Sequence, residues 1–83
     1  MQLTQEAKTS LTREYALFSS AISFYKKSIK EFERKYHLTT VRFLKRFEDG
    51  EIGDDADFFD WYAFARLLAQ WQKTQSALRI AIR

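Results

Sequence analysis

The side chains with the most chemical potential in this 83-residue chain are carboxylates, and seven of them stand in the run EDGEIGDDADFFD, residues 48–60, with no base among them. Dense oxygen donors could hold calcium, and Asp49, Glu51, Asp55, Asp57 and Asp60 fall at positions one, three, seven, nine and twelve of a twelve-residue window. A calcium loop of that kind also needs a ligand at five, glycine at six and a bidentate glutamate at twelve. Here those positions hold Gly53, Asp54 and Asp60, so calcium is not expected. Paired carboxylates could also do acid–base work. No activated nucleophile, phosphate loop or second polar centre accompanies them, and an enzyme is not expected. What remains is helix capping combined with an acidic end that a basic protein could recognise. The candidates are Asp49, Glu51, Asp54, Asp55, Asp57 and Asp60.

The opposite charge poses a second question. Lys26, Lys27, Lys30 and Arg34, followed by Arg42 and Arg46, could line a phosphate-binding face beside Tyr25 and Tyr36. Glu31 and Glu33 interrupt that set, and Lys27 with Glu31 has the i,i+4 spacing of an ordinary solvated pair. The short helix carrying Arg42 and Arg46 then runs into the acidic turn, which phosphates would avoid. Nucleic-acid binding is therefore the alternative and not the leading reading. His37 is the sole histidine. It lacks partners at metal or triad spacing and is expected at a helix C-terminus, where positive charge is favourable. Cysteine is absent, which excludes disulfides and thiolate metal sites, and nothing calls for a cofactor.

These groups must be held by helices. Leu11, Tyr15, Phe18, Ile22, Tyr25, Ile29, Phe32 and Tyr36 recur at alternating spacings of four and three, which predicts one long amphipathic helix over about residues 4–36. Leu17, Ala21 and Phe24 widen its apolar face beyond a two-stranded seam. The periodicity breaks at residues 37–40, and a short helix is expected over about 40–48. Thr39 would cap it, Leu38 and Phe43 would form a hydrophobic staple, and Gly50 would close it in the left-handed conformation. A third helix is expected over about 55–82, capped by Asp54 with Asp57 in its first turn. It carries a second seam of Trp61, Phe64, Leu68, Trp71, Gln75, Leu78 and Ile82. Gln75 is the one polar interruption, of the sort that selects register or partner.

The composition agrees with few, long helices, because there is no proline and glycine occurs only at Gly50 and Gly53. Aromatic residues make up 17% of the chain, at a mean hydropathy of −0.45. That much ring surface in a small chain implies a surface meant to be covered. Charge is segregated: residues 1–47 carry a net +6, residues 48–60 a net −7 and residues 61–83 a net +4, within a total of +3. No apolar run approaches the roughly 20 residues of a membrane span, and a cytoplasmic protein is expected. The fold class expected is all-α: two long antiparallel helices joined by a short helix and an acidic turn, dimerising into a bundle. The seam residues Phe18, Ile22, Tyr25, Ile29, Phe32, Trp61, Phe64, Leu68, Trp71 and Leu78 are expected to meet a second copy or another protein.

The segment FLKRFEDGEIGDDADFFDWYAF, residues 43–64, resembles a pattern in short bacterial antitoxin-like helical proteins. In that pattern an aromatic helix end leads into a Gly-x-x-Gly-Asp-Asp turn and an Asp-Phe-x-x-Trp helix start, here Gly50, Gly53, Asp54, Asp55, Asp57, Phe58 and Trp61. The resemblance implies a protein that binds and masks a basic toxin such as a nuclease. The first long helix has no counterpart in the pattern, and no DNA-binding segment is legible, so operon autoregulation is not implied. A purely structural homo-oligomer is the competing expectation.

Overall fold

The computed structural model describes residues 4–82, which form three helices: α1 (Gln5–Tyr36), α2 (Thr40–Glu48) and α3 (Ala56–Ile82). The side chain of Ile82, last in the spacing of the second seam, lies outside the described residues. Each helix end has a local cause. Thr4 caps α1, its hydroxyl accepting from the Ala7 amide at 3.1 Å, and Thr39 caps α2 by accepting from Arg42 at 3.3 Å. Both helices stop at a residue with positive φ, His37 at 52° and Gly50 at 70°. In each the next amide reaches back to close the last turn, Leu38 to the Glu33 carbonyl at 3.3 Å and Glu51 to the Arg46 carbonyl at 2.9 Å.

The left-handed conformation suits glycine at position 50 and strains histidine at 37, since a Cβ there costs roughly 1 kcal/mol or more. His37→Gly is therefore expected to raise stability by about 0.5–1 kcal/mol, read as a higher urea midpoint at unchanged slope. A lower midpoint would mean that the imidazole itself holds the corner.

The start of α3 departs from the expectation. The cap is Asp55, not Asp54, because the Asp55 carboxylate accepts from the Asp57 amide at 2.9 Å and its carbonyl from Phe58 at 3.0 Å. Asp57 thereby moves to the second helical position, and its carboxylate is free to reach across to α1.

The two long helices are antiparallel, as the order of their contacts demands: Tyr36 meets Phe58, Phe32 meets Trp61, Tyr25 meets Phe64 and Phe18 meets Trp71. The two seams thus face each other within one chain. The resulting rod measures 50 × 21 × 17 Å, close to the length of about 48 Å that 32 helical residues give. Gln75 donates to the Ser19 hydroxyl and to the Tyr15 carbonyl, so the polar break in the second seam is satisfied by α1 and pins the helices in register. No described helix is long and apolar enough to cross a membrane.

The core is small and sits at one end. Among the described residues only Ile22, Ile29, Phe43 and Trp61 are buried, and Phe43 and Trp61 have no exposed surface. Their rings stack at 3.9 Å with 2° between planes, with Phe32 stacked near Trp61 at 5.7 Å. Part of the off-seam aromatic surface is taken up by α2, where Phe47 stacks on Tyr62 at 4.4 Å and meets the edge of Phe59, itself 55% exposed, at 5.7 Å. Leu38 packs on the same cluster as Phe43, as a staple would.

Candidate interaction surfaces

Two polar constellations near the core are used internally. In the first, Glu33 in the last turns of α1 accepts from the Thr40 amide at 2.8 Å and from its hydroxyl at 2.9 Å. The same hydroxyl accepts from the Trp61 indole at 3.0 Å. One threonine therefore links all three helices, and the indole N–H that burial would otherwise strand is satisfied. In the second, one oxygen of Asp57 accepts from Lys35 and from the Tyr36 hydroxyl, each at 2.6 Å. The hydrogen bond from Lys35, followed by that from Tyr36, holds the Asp57 carboxyl below the usual carboxylate range. The partnership with Asp57 raises Lys35, and the hydrogen bond to Asp57 raises Tyr36, whose neutral phenol is the donor.

The signs give a pH window. A depressed Asp57 stabilises the fold above its unfolded value near pH 4 and loses that contribution as pH falls through the folded value. A raised Lys35 contributes below its unfolded value near 10.5 and loses it as pH rises through the folded value. Asp57→Asn is therefore expected to lower the urea midpoint at about pH 7 and to approach the parent as pH falls through the folded value of Asp57 and its carboxyl becomes neutral. A constant difference across that range would mean that the carboxylate charge is irrelevant.

The remaining acids form an exposed end around the α2–α3 turn. Glu51, Asp54 and Asp60 are exposed and make no ion pair among the described residues, while Asp49 holds Lys45 at 3.3 Å within α2. Asp55 is exposed but occupied with the cap, and Asp57 is tied to α1. Of the six acids assigned to a partner, three are thus unencumbered. Among the described residues no three acidic or histidine side chains converge to hold a metal ion.

The basic residues are divided between α1 and α2. Lys26 and Lys30 border an open groove of about 510 Å³ beside α2, floored by Ile29, Leu44, Ala65, Leu68 and Ala69. Arg42 and Arg46 lie on the outer side of α2 with Val41, Lys45 and Glu51. Lys27 and Arg34 are exposed on α1 beside Lys26 and Lys30, since residues 26, 27, 30 and 34 fall within about 100° of the helix circumference. The expected Lys27–Glu31 pair is not among the ion pairs of the described residues.

The seam residues assigned to a partner are largely spent between α1 and α3. Ile22, Ile29 and Trp61 are buried, while Phe18, Tyr25, Phe32, Phe64, Leu68, Trp71 and Leu78 are half-buried. Val41 on α2 and Phe59 and Ile80 on α3 are exposed, and on α1 the open apolar surface lies beside the seam. Leu17 is 64% exposed and Phe24 61% exposed. Phe24 and Lys26 are two residues apart, about 200° around the helix, so Phe24 lies on the flank of α1 away from the groove and α2. Leu67 stands in the same relation to Ala69 on α3 and joins that side. Between Leu17 and Phe24 this flank of α1 presents only Ser20 and Ala21, with no charge. Sequence periodicity marked Leu17, Ala21 and Phe24 as extra apolar width, but their opposition to α2 depends on where α2 docks. No family model, curated protein or solved structure matches the chain.

Proposed function

We propose that this chain is a helical protein-interaction module, working as a homodimer, that presents an acidic end to a basic protein in the manner of an antitoxin. The observation that carries the reading is the uncharged flank with Leu17 and Phe24 more than half exposed, where only four of the described side chains are buried. Apolar surface of that kind, continuous and free of charge, marks a contact site. The unencumbered acids Glu51, Asp54 and Asp60 supply the second feature, a field that speeds encounter with a basic surface and selects for it. Glu31 and Glu33 among the bases of α1, and the acidic turn that follows Arg42 and Arg46, favour a protein partner over nucleic acid, whose phosphates avoid carboxylates.

The test is affinity capture from the native host with the tagged chain, followed by mass spectrometry. A retained basic protein is expected, and its yield should drop at least tenfold in the triple variant Glu51→Gln, Asp54→Asn, Asp60→Asn. Asp55 and Asp57 are left intact because they hold the fold. Retention of the same protein by the variant at undiminished yield, or of none by the parent, would refute the acidic-end reading.

A further inference from the structure

We infer that the open flank of α1 is covered by the same flank of a second copy, the two α1 helices packing antiparallel about a two-fold axis level with Ile22; the inference rests on the homodimeric part of the reading above and assigns its interface. The first argument is area. The chain exposes 6411 Å², whereas a folded monomer of its 9.9 kDa exposes roughly 5,200 Å². The surplus of about 1,200 Å² exceeds the roughly 800 Å² that one partner gives to an interface of standard size. The surplus comes with the elongated rod, whose α2 covers one side at one end only. The opposite side has no covering element.

The second argument is self-complementarity. A two-fold contact requires that if one residue meets another, the second also meets the first. Arg13 and Glu31 are eighteen residues apart, which is five helical turns, so they lie on one line along α1 with the midpoint at Ile22. Both are exposed, and neither makes an ion pair among the described residues. An antiparallel copy centred on Ile22 sets Arg13 of each chain opposite Glu31 of the partner subunit, twice by symmetry. The same register places Phe24 over Ser20 and Ala21 of the partner subunit, the two small residues of the flank, so a large ring meets a shallow site. Leu17 then lies against the aliphatic stem of Lys27 of the partner subunit. Packing α1 on another face would bring the net charge of +3 on each copy together without this pairing.

The arrangement has a consequence for the acidic end. Because the two copies run in opposite directions, their acidic ends point away from each other at the two tips of the dimer, and the assembly offers two separate docking ends.

Sedimentation equilibrium over micromolar to millimolar concentration tests the interface. The parent is expected to be a dimer. Phe24→Glu should be monomeric and keep its helical circular dichroism, since a ring 61% exposed adds little to one chain beyond its edge contacts with Tyr25 and Phe64. Arg13→Glu and Glu31→Arg should each weaken the dimer roughly 5- to 30-fold, as two attractions become two repulsions, and the double exchange should restore it. A parent dimer that is indifferent to Phe24→Glu, or single exchanges that are not rescued by the double one, would overturn the assigned interface while leaving homodimerisation intact. A monomeric parent would overturn the inference, whereas capture of a basic protein reports on the acidic end independently of both.

Discussion

Trp61→Ala is expected to cost roughly 3–5 kcal/mol, a large part of the stability of the fold. A chain of this length has a total stability on the order of 4–12 kcal/mol at about 0.05–0.15 kcal/mol per residue. Among the described residues Trp61 is one of only two side chains with no exposed surface, and it touches every helix: its ring stacks on Phe43 of α2 and near Phe32 of α1, and its indole donates to Thr40. Removing it leaves a cavity whose walls are rigid rings, which close poorly around a void. The internal control is Trp71, the other tryptophan, which is half-buried and meets Phe18 and Tyr25 at their edges. Urea denaturation followed by circular dichroism should show the Trp71→Ala loss to be clearly the smaller. Equal losses would mean that the core extends evenly along the rod.

Thr40→Val should produce the second large effect, about 1–3 kcal/mol, although the substitution barely changes volume. The lost hydroxyl both donates to Glu33 and accepts from Trp61, so the variant strands a buried indole N–H and removes one of two donors from the carboxylate. An unsatisfied buried donor costs its full desolvation, whereas the bond itself contributes less. Thr40→Ser retains the hydroxyl and should lie close to the parent, which separates hydrogen bonding from loss of the methyl group. In combination with Trp61→Ala the effect of Thr40→Val should fall well below additive, because the donor it strands is already gone. Additive losses would show that the two residues act independently.

Asp57 shows why charge counts along a sequence do not identify a docking surface. By composition it is one of seven acids in a row, equivalent to its neighbours. In the fold it is a tether to Lys35 and Tyr36, 22 and 21 residues earlier. Its availability depends on the single residue by which the cap moved from Asp54 to Asp55. Gln75 makes a related point. Its spacing marked it as a polar break in an apolar row, but its partners Tyr15 and Ser19 lie 60 and 56 residues away, where no local pattern reaches.

The sequence by itself determined the elements. Local physics suffices for this, because heptad spacing selects the helix, threonine hydroxyls and a glycine fix its ends, and each acts within a turn or two of the residue concerned. Only the tertiary structure decided that the two seams face each other inside one chain, that α2 lies over one side of the hairpin, and that the opposite side stays open at Leu17 and Phe24. Apolar spacing gives a stripe its width and orientation on its own helix but carries no record of what lies across from it, since burial is non-directional and any greasy partner satisfies it. Direction came instead from the few polar atoms that must find a mate, Thr40, Asp57 and Gln75, and those matings exist only once the chain has closed.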